Sequence, residues 1–168
     1  LRARILARIQ APPAGGAATD YVAWARAVAG VDRVWVYPGW LGVGTVGVAI
    51  LGPGAAIPGA GLVAQVQAAI DALRPVTAAV TVFVPVAVPV AVTIQISPDT
   101  TATRAAVLAA LQGAFVADAQ PGGTLRLSRI SAAVSIAAGE VWHRITTPAA
   151  DVALATGQVA TLGTVTWA

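Results

Sequence analysis

Residues 75–98 carry no charged side chain, and the pattern inside that run restricts the fold more than any other stretch. An uncharged run of roughly 18 or more apolar residues raises the question of a membrane-spanning helix. Its periodicity answers the question. Val80, Val82, Val84, Val86, Val88, Val90, Val92, Ile94 and Ile96 alternate with Thr81, Phe83, Pro85, Ala87, Pro89, Ala91, Thr93 and Gln95. Period two is that of a β-strand, whose successive side chains point to opposite faces. Pro85 and Pro89 would also break a helix, because each lacks an amide proton and clashes with the preceding turn. They are expected to divide the run into two strands, or to kink one edge strand. A second uncharged stretch, residues 34–70, is punctuated by Gly and Pro at hairpin-like intervals. No membrane span is expected.

A chain of 168 residues is one ordinary domain or two small ones. Apolar residues make up 57% of it and charged residues 10%, against about 25% charged in a typical soluble domain. A surface so short of charge favours a protein whose outer faces are covered by neighbours. All ten basic residues are Arg and the net charge is +3. Apart from Arg2, Arg4 and Arg8 they are dispersed, whereas nucleic-acid binders concentrate charge in a patch, so no nucleic acid is expected as a partner. The absence of cysteine removes disulfides and thiolate metal ligands and suits assembly in a reducing cytoplasm. No signal-peptide pattern opens the chain. It begins at Leu1 without an initiator Met, so a fragment of a longer protein is expected.

Residues 1–10 read as a short helix with Leu1, Ile5 and Ile9 on one stripe, and residues 11–18 as a Pro/Gly linker. Thr19 is the expected cap of a second helix, with Tyr21, Trp24, Ala25 and Val28 on one face and Gly30 as its stop. Strands are expected at residues 33–37 and 45–51. A helix over residues 61–73 follows, with a stripe of Leu62, Val63, Val66, Ile70 and Leu73, ended by Pro75. Beyond the alternating region, Thr100 or Thr101 caps a helix with Val107, Leu108, Leu111 and Phe115 inward. A turn at Pro121–Gly123 leads to a strand at 124–127, a helix at 128–138 ended by Gly139, and strands at 141–147 and 162–167.

The order helix, Gly30, Val34-Trp35-Val36, Pro38, Gly44-Thr45-Val46 recurs as helix, Gly139, Val141-Trp142-His143, Pro148, Gly163-Thr164-Val165. This echo suggests an α+β protein of two small units, each packing helices on an antiparallel-rich mixed sheet. The expected divisions are 1–18, 19–85 and 86–168.

Few residues suggest chemistry. Gly42-Val43-Gly44-Thr45-Val46-Gly47 matches the dinucleotide pattern G-x-G-x-x-G, but that chemistry needs a helix N-terminus next to hold the pyrophosphate. A strand follows instead, so the segment reads as a Gly-rich hairpin, and without Lys no P-loop is possible. His143, the only histidine, has Glu140, Arg144 and Asp151 nearby in sequence; it reads as a structural or surface imidazole. Ser128 reads as a helix cap, and Ser131 and Ser135 as polar residues of a helix face, since none lies in a G-x-S-x-G elbow. The seven acids are scattered, with no pair spaced for a glycosidase or a divalent cation. Trp24, Trp35, Trp40, Trp142 and Trp167 read as core or interface anchors, with Trp40 the candidate for exposure. No catalytic, cofactor-binding or metal residue is assigned, and no cofactor is expected.

Taken in order, Asp20-Tyr21-x-x-Trp24-Ala25, Val28-Ala29-Gly30-Val31, Arg33-Val34-Trp35-Val36-Tyr37-Pro38 and Gly44-Thr45-Val46 resemble the baseplate J-like proteins of contractile-tailed, Mu-like phages. Asp71-x-x-Arg74-Pro75-Val76-Thr77-Ala78, Pro148-x-x-Asp151 and Leu162-Gly163-Thr164-Val165 fit the same pattern, which spans residues 15–168. The resemblance implies a non-catalytic wedge component of a virion baseplate, assembled in the bacterial host cytoplasm. It also implies a ring-forming oligomer around a central spike hub, with other wedge and hub proteins as partners. Family members are usually longer, with an N-terminal part not present in this sequence. The competing readings are a carbohydrate- or receptor-binding tail module, which would expose several aromatics together, and a tail-associated hydrolase. The hydrolase would need convergent carboxylates, or His143 hydrogen-bonded to an acid.

Overall fold

The computed structural model describes residues 16–168; the helix expected at 1–10 and most of the linker lie outside them. The described residues form an α+β protein whose chain divides into two compact units between Pro85 and Val86.

In the first unit the order is α1 (Ala18–Arg26), β1 (Arg33–Pro38), β2 (Thr45–Leu51), α2 (Ala60–Asp71) and β3 (Ala79–Phe83). The sheet order is β1-β2-β3, with β1 antiparallel and β3 parallel to the central β2. Alternation along β2 sends Val46, Val48 and Ile50 to one face, where they meet Tyr21 and Ala25 of α1 and Val66 and Ile70 of α2. Leu62 and Val63 pack at its margin. Leu73 lies past the end of α2 and is exposed, so the stripe is shorter than its spacing suggested. Nor does Thr19 cap α1. Ala17 holds that position, and the Asp20 carboxylate reaches back to accept from the amides of Gly16 and Ala17 at 2.9 and 3.1 Å. A charged acceptor at a helix N-terminus gains from both the unpaired amides and the helix dipole.

The second unit runs β4 (Val86–Ser97), α3 (Thr101–Ala117), β5 (Thr124–Leu125), α4 (Leu127–Ser135), β6 (Trp142–Thr147), β7 (Val152–Ala153) and β8 (Gln158–Trp167). β5 and β7 form a two-residue antiparallel ladder. The main sheet is β6-β4-β8, antiparallel on one side of β4 and parallel on the other. Parallel pairing thus takes a larger share of both sheets than hairpin-like spacing suggested. Val92, Ile94 and Ile96 face Val107, Leu111 and Phe115 of α3 and Ile130 and Val134 of α4. Complete burial of a side chain such as Ile94 or Leu111 contributes about 1.5–3 kcal/mol. Leu108 is turned partly outward and is not in this core. Thr100 caps α3, its hydroxyl accepting from the Thr103 amide at 3.1 Å. Ser128 is not a cap. Arg126 precedes the first turn of α4, and the Asp151 carboxylate accepts from the Leu127 amide at 2.8 Å.

The prolines of the alternating run have separate roles. Pro85 ends the pairing of β3 before β4 begins, while Pro89 lies inside β4 opposite Thr161. β4 is therefore central rather than an edge, but only over Thr93–Ser97, where β6 joins it. Pro89 falls in the half that is paired on the β8 side alone, so its missing amide proton breaks no ladder bond among the described residues. Just beyond it the β4–β8 register shifts between Val90 and Val92. Gly163 of β8 lies there so close to β4 that a Cβ would stand 3.0 Å from the carbonyl carbon and oxygen of Val90.

Half of the sequence echo is structural. Gly30 and Gly139 adopt φ of +94° and +82°, the left-handed region that Gly enters without steric cost. The turns around them match bond for bond. Val28 donates to Ala25 and Val31 to Val28, as Ala137 donates to Val134 and Glu140 to Ala137. Then Asp32 donates to Leu51 and Val141 to Ser97, both at 2.9 Å, and Arg33 faces Leu51 as Trp142 faces Ser97. The other half fails: β8 is not the counterpart of β2. The partner of β6 is β4, which precedes it in the chain, and β8 lies on the far side of β4.

Candidate functional site

Three side chains with chemical potential meet in the second unit. His143, on the helix-facing side of β6, places Nδ1 2.9 Å from Glu140 Oε1 and Nε2 2.8 Å from Ser131 Oγ. Toward a carboxylate, which only accepts, Nδ1 is the donor, and a ring protonated there alone accepts at Nε2 from the Ser131 hydroxyl. The Glu140 side chain is 6% exposed and that of His143 12%. The turn at Gly139 brings Glu140 and His143 together. Ser131 joins from the middle of α4, twelve residues away, and no local pattern marks it.

The arrangement has the connectivity of a serine–histidine–carboxylate triad, the hydrogen bond that the hydrolase reading required. Acyl transfer needs more: donors aimed at the developing oxyanion beside an accessible hydroxyl. Ser131 is inside a helix, where amides are bonded to carbonyls one turn back. The bond from His143 to Ser131 joins β6 to α4, and that to Glu140 spans the turn between them. Asp151 and Arg144 are not part of the cluster, and Asp151 instead caps α4 and pairs with Arg126 at 2.9 Å.

The remaining acids are each engaged. Asp71 pairs with Arg74, Asp99 with Arg104, Asp118 with Arg129, and Asp32 lies 3.8 Å from Arg33. Hydrogen bonds from Arg74, Arg104 and Arg129 hold Asp71, Asp99 and Asp118 below the usual carboxylate range. For Asp151 the Leu127 amide is the main cause, followed by Arg126. Among the described residues no three His, Asp or Glu side chains converge as metal ligands.

Gly42–Gly44 close the β1–β2 connection, and Thr45–Gly47 are already the start of β2. Thr45 locks the connection, its hydroxyl donating to the Gly42 carbonyl at 2.6 Å and accepting from the Leu41 amide at 2.9 Å. From this connection Trp40 folds back across Gly47, where a Cβ would stand 2.6 Å from the indole Cγ. Trp40 stacks on Phe83 with centroids 4.5 Å apart and contacts Tyr37 at 5.3 Å. Partial burial there raises the Tyr37 pKa. These rings pack on one another instead of presenting a row of open faces. Trp24 packs edge-on against Tyr21, and Trp167 lies under the Arg104 guanidinium. Trp142 is half exposed, beside Val141 and near Ile136 in sequence, both largely exposed.

Two family models cover the chain in succession: the baseplate J-like central domain over residues 13–84 and the baseplate J-like protein C-terminal domain over residues 88–168. The JayE protein of Escherichia coli strain K12 is 40% identical over 99% of this chain and 64% of its own length. The Mu-like prophage FluMu protein gp47 of Haemophilus influenzae strain Rd is 38% identical, over 99% of this chain and 50% of its own. Baseplate protein gp47 of Escherichia phage Mu is 53% identical over 45 residues, 27% of this chain and 12% of that protein. The chain thus spans between half and two thirds of the two relatives that it matches along its whole length. With both of its units matched in order by the models of one family, this chain belongs to the baseplate J-like proteins.

Proposed function

We propose that the chain is a structural, non-catalytic component of a phage-type contractile-tail baseplate, working as a wedge element among other wedge and hub proteins in a ring. The observation that carries this reading is the successive pair of baseplate J-like matches, one on each unit. Surface chemistry supports it. Leu41 and Val43 on the β1–β2 connection, Val76 after α2, Ile136 after α4 and Val141 before β6 are strongly exposed, and Trp142 at the start of β6 is half exposed; exposed apolar side chains are stabilised when a neighbour covers them. Its place would be the virion baseplate, with assembly in the host cytoplasm. The two units would then serve as separate modules of one wedge, and Ser131, Glu140 and His143 as a structural tie.

The test is coexpression of the full-length protein with its flanking tail proteins, followed by size-exclusion chromatography and electron microscopy. Ring or wedge complexes are expected. A full-length protein that stays monomeric with every partner present would sink the proposal. The non-catalytic part has its own check: a fluorophosphonate probe should leave Ser131 unlabelled, and labelling abolished by His143→Ala would reopen the hydrolase reading.

A further inference from the structure

The outward edge of β3 is the least expected feature of the first unit. β3 ends the sheet order β1-β2-β3, so one side of it meets no strand among the described residues. The Ala79 amide points to the β2 side, donating to Gly44 at 3.0 Å. By alternation, the peptide groups of Val80 and Val82 point away from β2. A row of outward donors and acceptors, where left unpaired, is a template for another strand. Val63, Ala64, Phe83 and Val84 line an apolar groove beside it, which would make pairing there more favourable.

Side chains already hold that edge. Gln67 of α2 donates from Nε2 to the Val80 carbonyl at 3.1 Å and accepts at Oε1 from the Val82 amide at 2.8 Å. One donor and one acceptor bonded to groups two residues apart is what a single residue of a parallel neighbour strand would offer. The carboxamide therefore stands in for one residue of a fourth strand. Its second N–H donates to Asp71 Oδ2 at 3.1 Å, which fixes the ring of contacts and the amide orientation. Asp71 is held in turn by Arg74 Nε at 2.6 Å, and Arg74 Nη1 donates to the Ala78 carbonyl just before β3. Asp71 and Arg74 belong to the Asp71-x-x-Arg74-Pro75 segment, whose role thereby acquires a physical account.

We propose that Gln67, oriented by Asp71 and Arg74, is an edge guard that occupies the outward groups of β3 and keeps the strand from pairing with a second copy of this chain. Removing the guard leaves the edge open and its groove apolar. The experiment uses the whole chain carrying Gln67→Ala, a substitution that a helix tolerates well, and measures self-association by sedimentation velocity over a concentration series. The association constant should rise roughly tenfold or more above that of the parent, as several backbone groups gain strand partners. Val82 amide exchange should be faster at low concentration and slow again on association. Asp71→Ala, on an exposed side chain, should shift association the same way but less, and provides the same reading if Gln67→Ala fails to fold. Adding Thr81→Lys, which places charge on the exposed edge strand, should return association to the parental level. Unchanged association in both single variants, or association that Thr81→Lys does not reverse, overturns the proposal.

Discussion

The first unit fills the space between its leading helix and its antiparallel edge strand with Val22, Val31 and Val34. In the second unit the matched turn puts Ser131, Glu140 and His143 in the corresponding places. The backbone around both sets matches in the bonds through Gly30 and Gly139 and in the first four register pairs of β1 on β2 and β6 on β4, before a bulge at Thr93 that the first unit lacks. One helix–Gly–strand frame therefore tolerates either an apolar or a polar filling. The physical condition is that the polar filling be complete. Apolar side chains need only volume, whereas each buried polar group needs a partner. The second unit satisfies that condition: among the described residues no buried side-chain nitrogen or oxygen lacks a hydrogen bond.

The largest effect should come from breaking the polar set in part. His143→Val leaves Glu140 buried without its partner, and a buried acceptor stripped in this way typically costs about 1–3 kcal/mol, more when charged. Ser131→Val, Glu140→Val and His143→Val together copy the first unit and should recover most of that loss, because replacing every partner by apolar groups is often neutral or stabilising. Urea denaturation of the single and triple variants checks this. A triple variant no more stable than His143→Val would break the equivalence of the two frames.

A smaller effect is expected at the helix stops. Alanine at positive φ should cost about 1 kcal/mol at either Gly30 or Gly139. The two sites differ in space: a Cβ on Gly30 would meet Leu62 Cδ2 at 3.2 Å, whereas on Gly139 it would lie 3.5 Å from Thr103 Oγ1. Gly30→Ala should therefore be the more destabilising of the pair, as read from thermal midpoints. The reverse order would mean that backbone strain, rather than crowding, distinguishes the turns.

The smallest effect concerns acid. Of the four depressed carboxylates, Asp71 belongs to the first unit and Asp99, Asp118 and Asp151 to the second. A carboxyl whose folded pKa lies below its unfolded value stabilises the fold above the unfolded value. That contribution is lost as pH falls through the folded one. Acidification below about pH 4 should thus weaken the second unit more than the first, modestly because these pairs are exposed and screened by salt. Amide exchange at Ile94 and Val48, followed against pH, reports each unit separately, and equal losses would contradict the assignment.

Much of the fold was legible along the chain. Alternation in residues 80–96 gave strands, spacings of three and four gave the inward faces of α1, α2 and α3 apart from Leu73 and Leu108, and Thr100 and Gly139 marked helix ends. The misread caps share a cause. Thr19 and Ser128 were suitable residues in suitable places, but Asp20 and Asp151 supply stronger, charged acceptors. Asp151 reaches α4 from 24 residues away, where no local rule looks. The candidate site was half legible for the same reason: Glu140 and His143 lie across one turn, while Ser131 arrives from another element.

By itself, then, the sequence determined which segments are helix or strand, which of their faces turn inward, and where Gly must end a helix. These are local properties, fixed by the 3.6- and two-residue repeats and by steric limits on φ. Tertiary structure alone decided what lies beside each strand. A strand offers similar rows of donors and acceptors on both edges, so its side-chain pattern reveals its faces but not its neighbours. That is why β4 could be read as an edge yet is central beside β6, why β8 lies across β4 from β6 although the echo matched it to β2, and why the edge of β3 is met by Gln67 from α2.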